Sequence, residues 1–425
     1  MVTRRRTLAA AIGPGLLVAA TGVGAGDLAT GAFSGSLLGT AVLWAVIVGA
    51  AMKFVLTEGL ARWQLATGET LLEGVMSRVA RPLRFAFLLY LLPWSWFVGS
   101  ALISACGVTA HAMLPVFDSP QQGKVVFGTA HSLLGLILVS RGGYRLFERS
   151  MRIAIGLMFV TAVVTAVLLE PDWGAVLRGL CLPRIPHAGG EGWTWTVGLI
   201  GGVGGTLTVL CYGYWIREEG REGPQALALC RVDLAVGYAA TALFGLAMVV
   251  IGSTIEVEGR GAGLIVSLAE RLEGPLGSTG RWMFLLGAWA AVFSSLLGVW
   301  QAVPLIFADY WRLLSSPAPG GSTPRGVTID TRSTPYRLYL YGLALIPLLG
   351  LGLSFRSVQV TYAVIGAGFL PLLALALLLL NGRRAWVGDA HRNRLWTQVA
   401  LILILAFFLY AGWHELSAQL RELNR

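Results

Sequence analysis

Charge is scarce in this chain. Asp, Glu, Lys and Arg make up 13% of its 425 residues, roughly half the share in an ordinary soluble domain. Apolar side chains fill the gap at 56%, which excludes a soluble globular fold. Cysteine is also sparse: Cys106, Cys181, Cys211 and Cys230 are too widely spaced for a zinc site or a disulfide framework. The five histidines, at positions 111, 131, 187, 391 and 414, are expected near helix ends or in loops. Absent too are a nucleophile–base arrangement, a phosphate loop and a nucleotide motif, so neither an enzyme nor a cofactor is expected. The net charge of +10 could point to nucleic acid, but the arginines gather in short clusters between apolar runs, as topology determinants do. No nucleic-acid partner is expected.

What the sequence does contain is a succession of apolar runs near the ~20 residues needed to cross a bilayer. Eleven spans are expected, at 10–38, 41–62, 85–113, 124–140, 152–170, 194–216, 227–252, 281–310, 337–355, 357–381 and 395–413. The chain reads as one all-α, multi-pass domain of the cell membrane with the lipid bilayer as its partner. The basic N-terminus MVTRRRTLAA leads into a first span rather than a cleaved signal. With that end in the cytoplasm, most Lys and Arg fall on the cytoplasmic side, and the odd count puts the C-terminus outside. Ser315 to Pro335 reads as a flexible cytoplasmic linker, Glu256 to Glu273 as an external segment with a short surface helix, and Trp63, Trp193 and Trp311 as interfacial anchors.

Two spans are interrupted by dense glycine: the first, TGVGAGDLATG at 21–31, and the sixth, GLIGGVGGTLT at 198–208. Glycine costs about 1 kcal/mol against alanine inside a helix. Backbone groups freed at membrane depth persist only where protein or a water-filled cavity satisfies them. Interruptions five spans apart point to an inverted five-plus-five repeat with a substrate site at the breaks. Repeat one covers about 10–170, repeat two about 194–381, and an extra helix follows at 395–413. Close helix packing through small residues is the competing reading. Asp27 favours a site, because an acid at mid-bilayer costs at least ~2.5 kcal/mol and marks function.

The stretch GPGLLVAATGVGAGDLATGAFSGSLLG, followed by LWAVIVGAAMKFVLTEGLARWQLATGETLLEG, resembles the first two helices of the Nramp family of divalent-metal transporters. Gly13, Pro14, Gly15, Ala29, Thr30, Gly35, Leu43, Trp44 and the ATGETLLE segment carry the likeness, with AVFSSLLGVWQAVP and Pro371 in later spans. The resemblance implies a LeuT-type fold, alternating access and a metal site built from an Asp-Pro-Gly-Asn motif in span one and a Met-Pro-His motif in span six. Gly24 stands at that Asp position and Asp27 at the Asn position. In span six Val209 stands at the Met, Leu210 at the Pro and Cys211 at the His, while a slip of one residue puts Thr208 at the Met; Thr21 and Thr206 take the carbonyl positions. This reads as a divergent member with a degenerate metal motif, nearest the Nramp-related magnesium transporters. Asp27 is then the one metal-ligating carboxylate, in a hard-oxygen site suited to Mg2+ or Mn2+. Span three has no Asp or Glu from Phe85 to Phe117, which argues against the family's proton route.

Lys53 lies in span two, as far beyond the hairpin turn near Thr40 as Asp27 lies before it. Two readings stand: the two pair, with the ammonium standing in for a bound cation, or Lys53 snorkels or pairs elsewhere. The first supports an alternative function, a metal-independent carrier of a small organic solute. A second alternative is a non-transporting membrane sensor or scaffold. Glu58 and Arg62 read as an ordinary i, i+4 helix pair, and GYWIREEGREG at 213–223 as a solvated inner-gate surface.

Overall fold

In the computed structural model, the residues described are 13–78, 81–188, 190–254, 263–315 and 328–423. The arginines at 4–6, residues 316–327 of the expected linker and residues 256–262 of the expected external segment lie outside them. Among the described residues the chain is helical, with no β-strand. Nine helical stretches among the described residues are long and apolar enough to cross a membrane. All eleven expected crossings can be followed, because one such stretch, Asp27–Thr67, holds the end of span one and all of span two. The other difference is span nine, whose helix Thr334–Leu345 tightens into a 3-10 segment, Ile346–Gly352, at Pro347. Proline there removes a helix donor. Ser132 supplies one back by donating to the Ala344 carbonyl, three residues before that proline, at 2.7 Å; Ser100 donates to the Pro347 carbonyl at 3.0 Å, and the buried Lys124 caps Leu353 O at 2.8 Å.

Spans four and five, Pro120–Arg141 and Leu146–Leu168, belong to one helical assignment, Pro120–Leu168. A straight rod of 49 residues would be about 74 Å long, more than twice the ~30 Å apolar core. His131 accepts from the Trp289 indole at 2.9 Å, and Thr161 lies against Gly287. Both halves therefore reach the same depth of span eight, and the chain doubles back between them. The His131 contact also places that histidine mid-span rather than near a helix end, correcting the expectation. Span eight is the portion of Gly263–Ser315 beyond a kink at Gly277, and residues 263–273 of the expected external segment are helical. Spans three to five and eight pack against one another as a scaffold, and span seven, Leu227–Ser253, lies along both halves of span one.

Apolar side chains cover the outside, among them Leu89, Leu349 and Trp396, each more than 70% exposed. That is the surface expected of a chain solvated by lipid. Trp63 is not among them: it is fully buried, under Gly74 and within 4.9 Å of the Arg78 guanidinium. The anchor reading fails for Trp63 because the helix Leu71–Arg78 folds back over it. Trp311, at 49% exposure, fits the reading better.

Candidate functional site

Span one is two helices, Pro14–Gly22 and Ala25–Leu38, joined through Val23 and Gly24. Span six is likewise split into Glu191–Gly202 and Cys211–Glu218, with a 3-10 turn at Leu207–Leu210 between them. Gly204 and Gly205 take φ values of +79° and +83°, a region L side chains rarely adopt. The two breaks abut: a Cβ on Gly22 would lie 2.5 Å from the Gly204 carbonyl carbon, and one on Gly205 would lie 3.0 Å from the Gly22 Cα. The glycines thus supply both the unwinding and the close approach.

Asp27 is 2% exposed, in the first turn of the second half-helix of span one. The Gly204 amide faces it without completing a bond of ordinary geometry, and both carboxylate oxygens lack a hydrogen-bond partner. Lys53 is wholly buried. Its ammonium donates to Gly201 O at 2.8 Å, Val203 O at 2.9 Å and Gly205 O at 2.6 Å, so all three protons are directed at the span-six break. The reading that pairs Lys53 with Asp27 is therefore corrected. The two side chains are electrostatic neighbours but form no ion pair, because the freed carbonyls of span six take the ammonium first.

The other expected site residues divide. Thr208 Oγ1 is buried beside Gly205 and has no partner. Thr21 Oγ1 is also unpartnered but is pressed against Gly298 of span eight. The Thr21 carbonyl, expected to line the site, already accepts from Ser295 Oγ at 2.7 Å, and the Thr206 carbonyl accepts from the Val209 amide at 3.2 Å. Gly24 packs on Ser295, where any Cβ would collide with the hydroxyl. Val209 and Cys211 are fully buried at the start of the second half of span six. Nowhere among the described residues do three His, Cys, Asp or Glu converge.

Several neighbours had no signal in the sequence. Ser294 Oγ bonds Ala291 O at 3.0 Å on its own helix and reaches Ala20 O at 3.4 Å. Trp94 donates to Thr206 Oγ1 at 3.1 Å, and Tyr362 of span ten sits close to Thr206 and Asp27. Below the breaks, Asp233 of span seven is fully buried and accepts from the amides of Gly13 and Gly15, from Tyr212 and from Arg221. Toward the C-terminal ends of spans six and eight, Glu73 meets Arg217 and Arg312, and Asp309 takes Arg312, Tyr214 and Thr70. Within the 213–223 cluster the two arginines are thus held in ion pairs, while Glu218 and Glu222 are exposed, as expected of a solvated surface. Glu58 pairs with Arg62 as expected, but also with Arg231 of span seven at 2.7 Å.

Among known proteins, a "Divalent metal cation transporter MntH" from Verminephrobacter eiseniae is 23% identical over 57% of this chain, and the chain spans 55% of that relative's length. The protein of the same name from Mycobacterium tuberculosis is 26% identical over 92% of this chain and 88% of its own. A crystal structure of a variant of the Eremococcus coleocola manganese transporter superposes with a TM-score of 0.77 at 17% identity, covering 98% of this chain and 89% of that one. That likeness is one of fold, and it sets the broken first and sixth spans in the LeuT-type five-plus-five arrangement. The family model for natural resistance-associated macrophage protein-like chains matches residues 15–414, and this chain belongs to the Nramp family.

Proposed function

We propose that this chain carries a divalent metal cation across the membrane by alternating access, with Asp27 as the one side-chain carboxylate at the cargo. The observation that carries this reading is the pair of buried, unpartnered Asp27 oxygens at the junction of the two breaks. An uncompensated buried charge costs several kcal/mol, a cost that a bound cation offsets. Relatives named as divalent metal cation or manganese transporters support the cargo class. The available donors, Asp27, the Thr208 hydroxyl and water, are hard oxygens, and apolar Val209 stands where the family places a methionine, which favours Mg2+ or Mn2+. The cation is cargo; we invoke no resident cofactor and no catalytic residue. Spans one, two, six and seven rock against the scaffold, with repeats at about 10–170 and 194–381, in a cell-membrane protein whose N-terminus is cytoplasmic and C-terminus external.

One observation favours a second reading: Lys53 already holds the span-six carbonyls, as it would in a metal-independent carrier of a small organic solute. Isothermal titration with Mg2+, Mn2+ and Ca2+, paired with uptake into proteoliposomes, separates the two. Metal binding is expected in the wild type and lost at least tenfold in Asp27→Asn. A monodisperse wild type that gives no heat with any of the three ions overturns the metal reading in favour of the second.

A further inference from the structure

We propose that the carbonyls of Gly201, Val203 and Gly205 form a monovalent-cation cradle permanently filled by the Lys53 ammonium, a tethered ion that frees the carrier from binding one out of solution. This goes beyond the cargo reading and holds whatever the cargo is. Gly201, in the last turn of the helix Glu191–Gly202, and Val203 and Gly205 in the unwound backbone beyond it turn their oxygens to one point, and the ammonium sits there at 2.6–2.9 Å from each. Rings of backbone carbonyls replace the hydration shell of K+ in the same way, and ammonium and K+ are close in size. Mg2+, by contrast, needs oxygens at about 2.0–2.1 Å, so a cradle of this width leaves a small divalent ion to the Asp27 side of the junction.

The tether is itself held. Thr57 Oγ1 bonds the Lys53 carbonyl at 2.7 Å, and the Tyr238 hydroxyl bonds Thr57 at 2.6 Å, fixing this turn of span two against span seven. Tyr238 also packs on Gly204, so the element that aims the lysine touches the break it fills. A plain cap for a helix end would need hydrogen-bond donors but no charge. The cradle reading requires a cation.

Thermal unfolding of the purified full chain in choline, Na+, K+ and NH4+ chlorides at equal ionic strength tests this. Wild type is expected to show the same midpoint in all four. Lys53→Ala is expected to unfold earlier in choline and to recover by about 3 °C or more, saturably, in K+ and NH4+. Lys53→Gln, which keeps a donor without the charge, is expected to show the same K+ response. A Lys53→Ala protein that survives purification only with K+ or NH4+ present supports the cradle. Equal instability in all four salts overturns it, as does loss of both Lys53→Ala and Lys53→Met in every salt. So does a Lys53→Gln protein as stable as wild type in choline, or a wild type that K+ stabilises over choline. None of these readouts uses a divalent ion, so failure here is distinguishable from failure of the metal reading.

Discussion

Asp233→Ala is expected to be among the most damaging single substitutions outside the breaks. The carboxylate is fully buried and accepts four hydrogen bonds: 3.0 Å from Gly13 N, 2.9 Å from Gly15 N, 3.1 Å from Tyr212 Oη and 2.8 Å from Arg221 Nη1. The first two satisfy donors at the start of span one, where the positive end of the helix dipole lies. Arg221 is 4% exposed; burial pulls its guanidinium down, yet Asp233 and its neighbours hold it above its ordinary range. Removing one partner of a buried ion pair costs about 3–5 kcal/mol, because the survivor is stranded. The two orphaned amides fall within that figure rather than adding to it in full. Reversible unfolding in mixed micelles, followed by tryptophan fluorescence, should therefore show Asp233→Ala about 3–5 kcal/mol below wild type. Arg221→Met in the same background should restore part of the loss, giving a coupling of about 1–3 kcal/mol. A loss under about 1 kcal/mol, or strict additivity in the double variant, would show that Asp233 does not hold span one to span seven.

Gly22→Ala should disable transport and lower stability by about 1–3 kcal/mol, since its Cβ would lie 2.5 Å from the Gly204 carbonyl carbon; a fully active variant would mean that the breaks do not abut as described. Maleimide labelling of native protein should mark Cys181, which is exposed, and spare the buried Cys106, Cys211 and Cys230, as read by mass spectrometry. Arg312→Gln removes the guanidinium that joins Glu73 to Asp309 and should raise Cys211 labelling several-fold by loosening the closure at that end of the bundle; unchanged protection would assign that closure to packing alone.

The breaks were legible because glycine is so costly at membrane depth that 21–31 and 198–208 stand out without any partner being known. Asp27 was legible for the same reason: one charge inside an apolar run. The partner of Lys53 was not. Depth counting matched it to the nearest acid, whereas its acceptors are backbone oxygens some 150 positions away, and every residue carries such an oxygen. Counting by depth also put Trp63 at the interface, since nothing in a span's own pattern shows that a short amphipathic helix such as Leu71–Arg78 will cover its end. The expected carbonyl ligands Thr21 and Thr206 failed similarly: the sequence shows that a break frees backbone groups but not which hydroxyls or amides reclaim them. Span nine escaped the simplest length criterion because Pro347 cuts its helix, although its place in the chain was expected.

The contact between spans one and eight is made partly by Ser294, whose hydroxyl already bonds Ala291 on its own helix at 3.0 Å while reaching Ala20 across the gap at 3.4 Å. A donor with two acceptors in range loses little when one withdraws. At that point span one can move from span eight without stranding the Ser294 proton in the dry interior, so the hydrogen-bond resistance of the seam falls on the neighbouring Ser295, whose hydroxyl holds the Thr21 carbonyl at 2.7 Å.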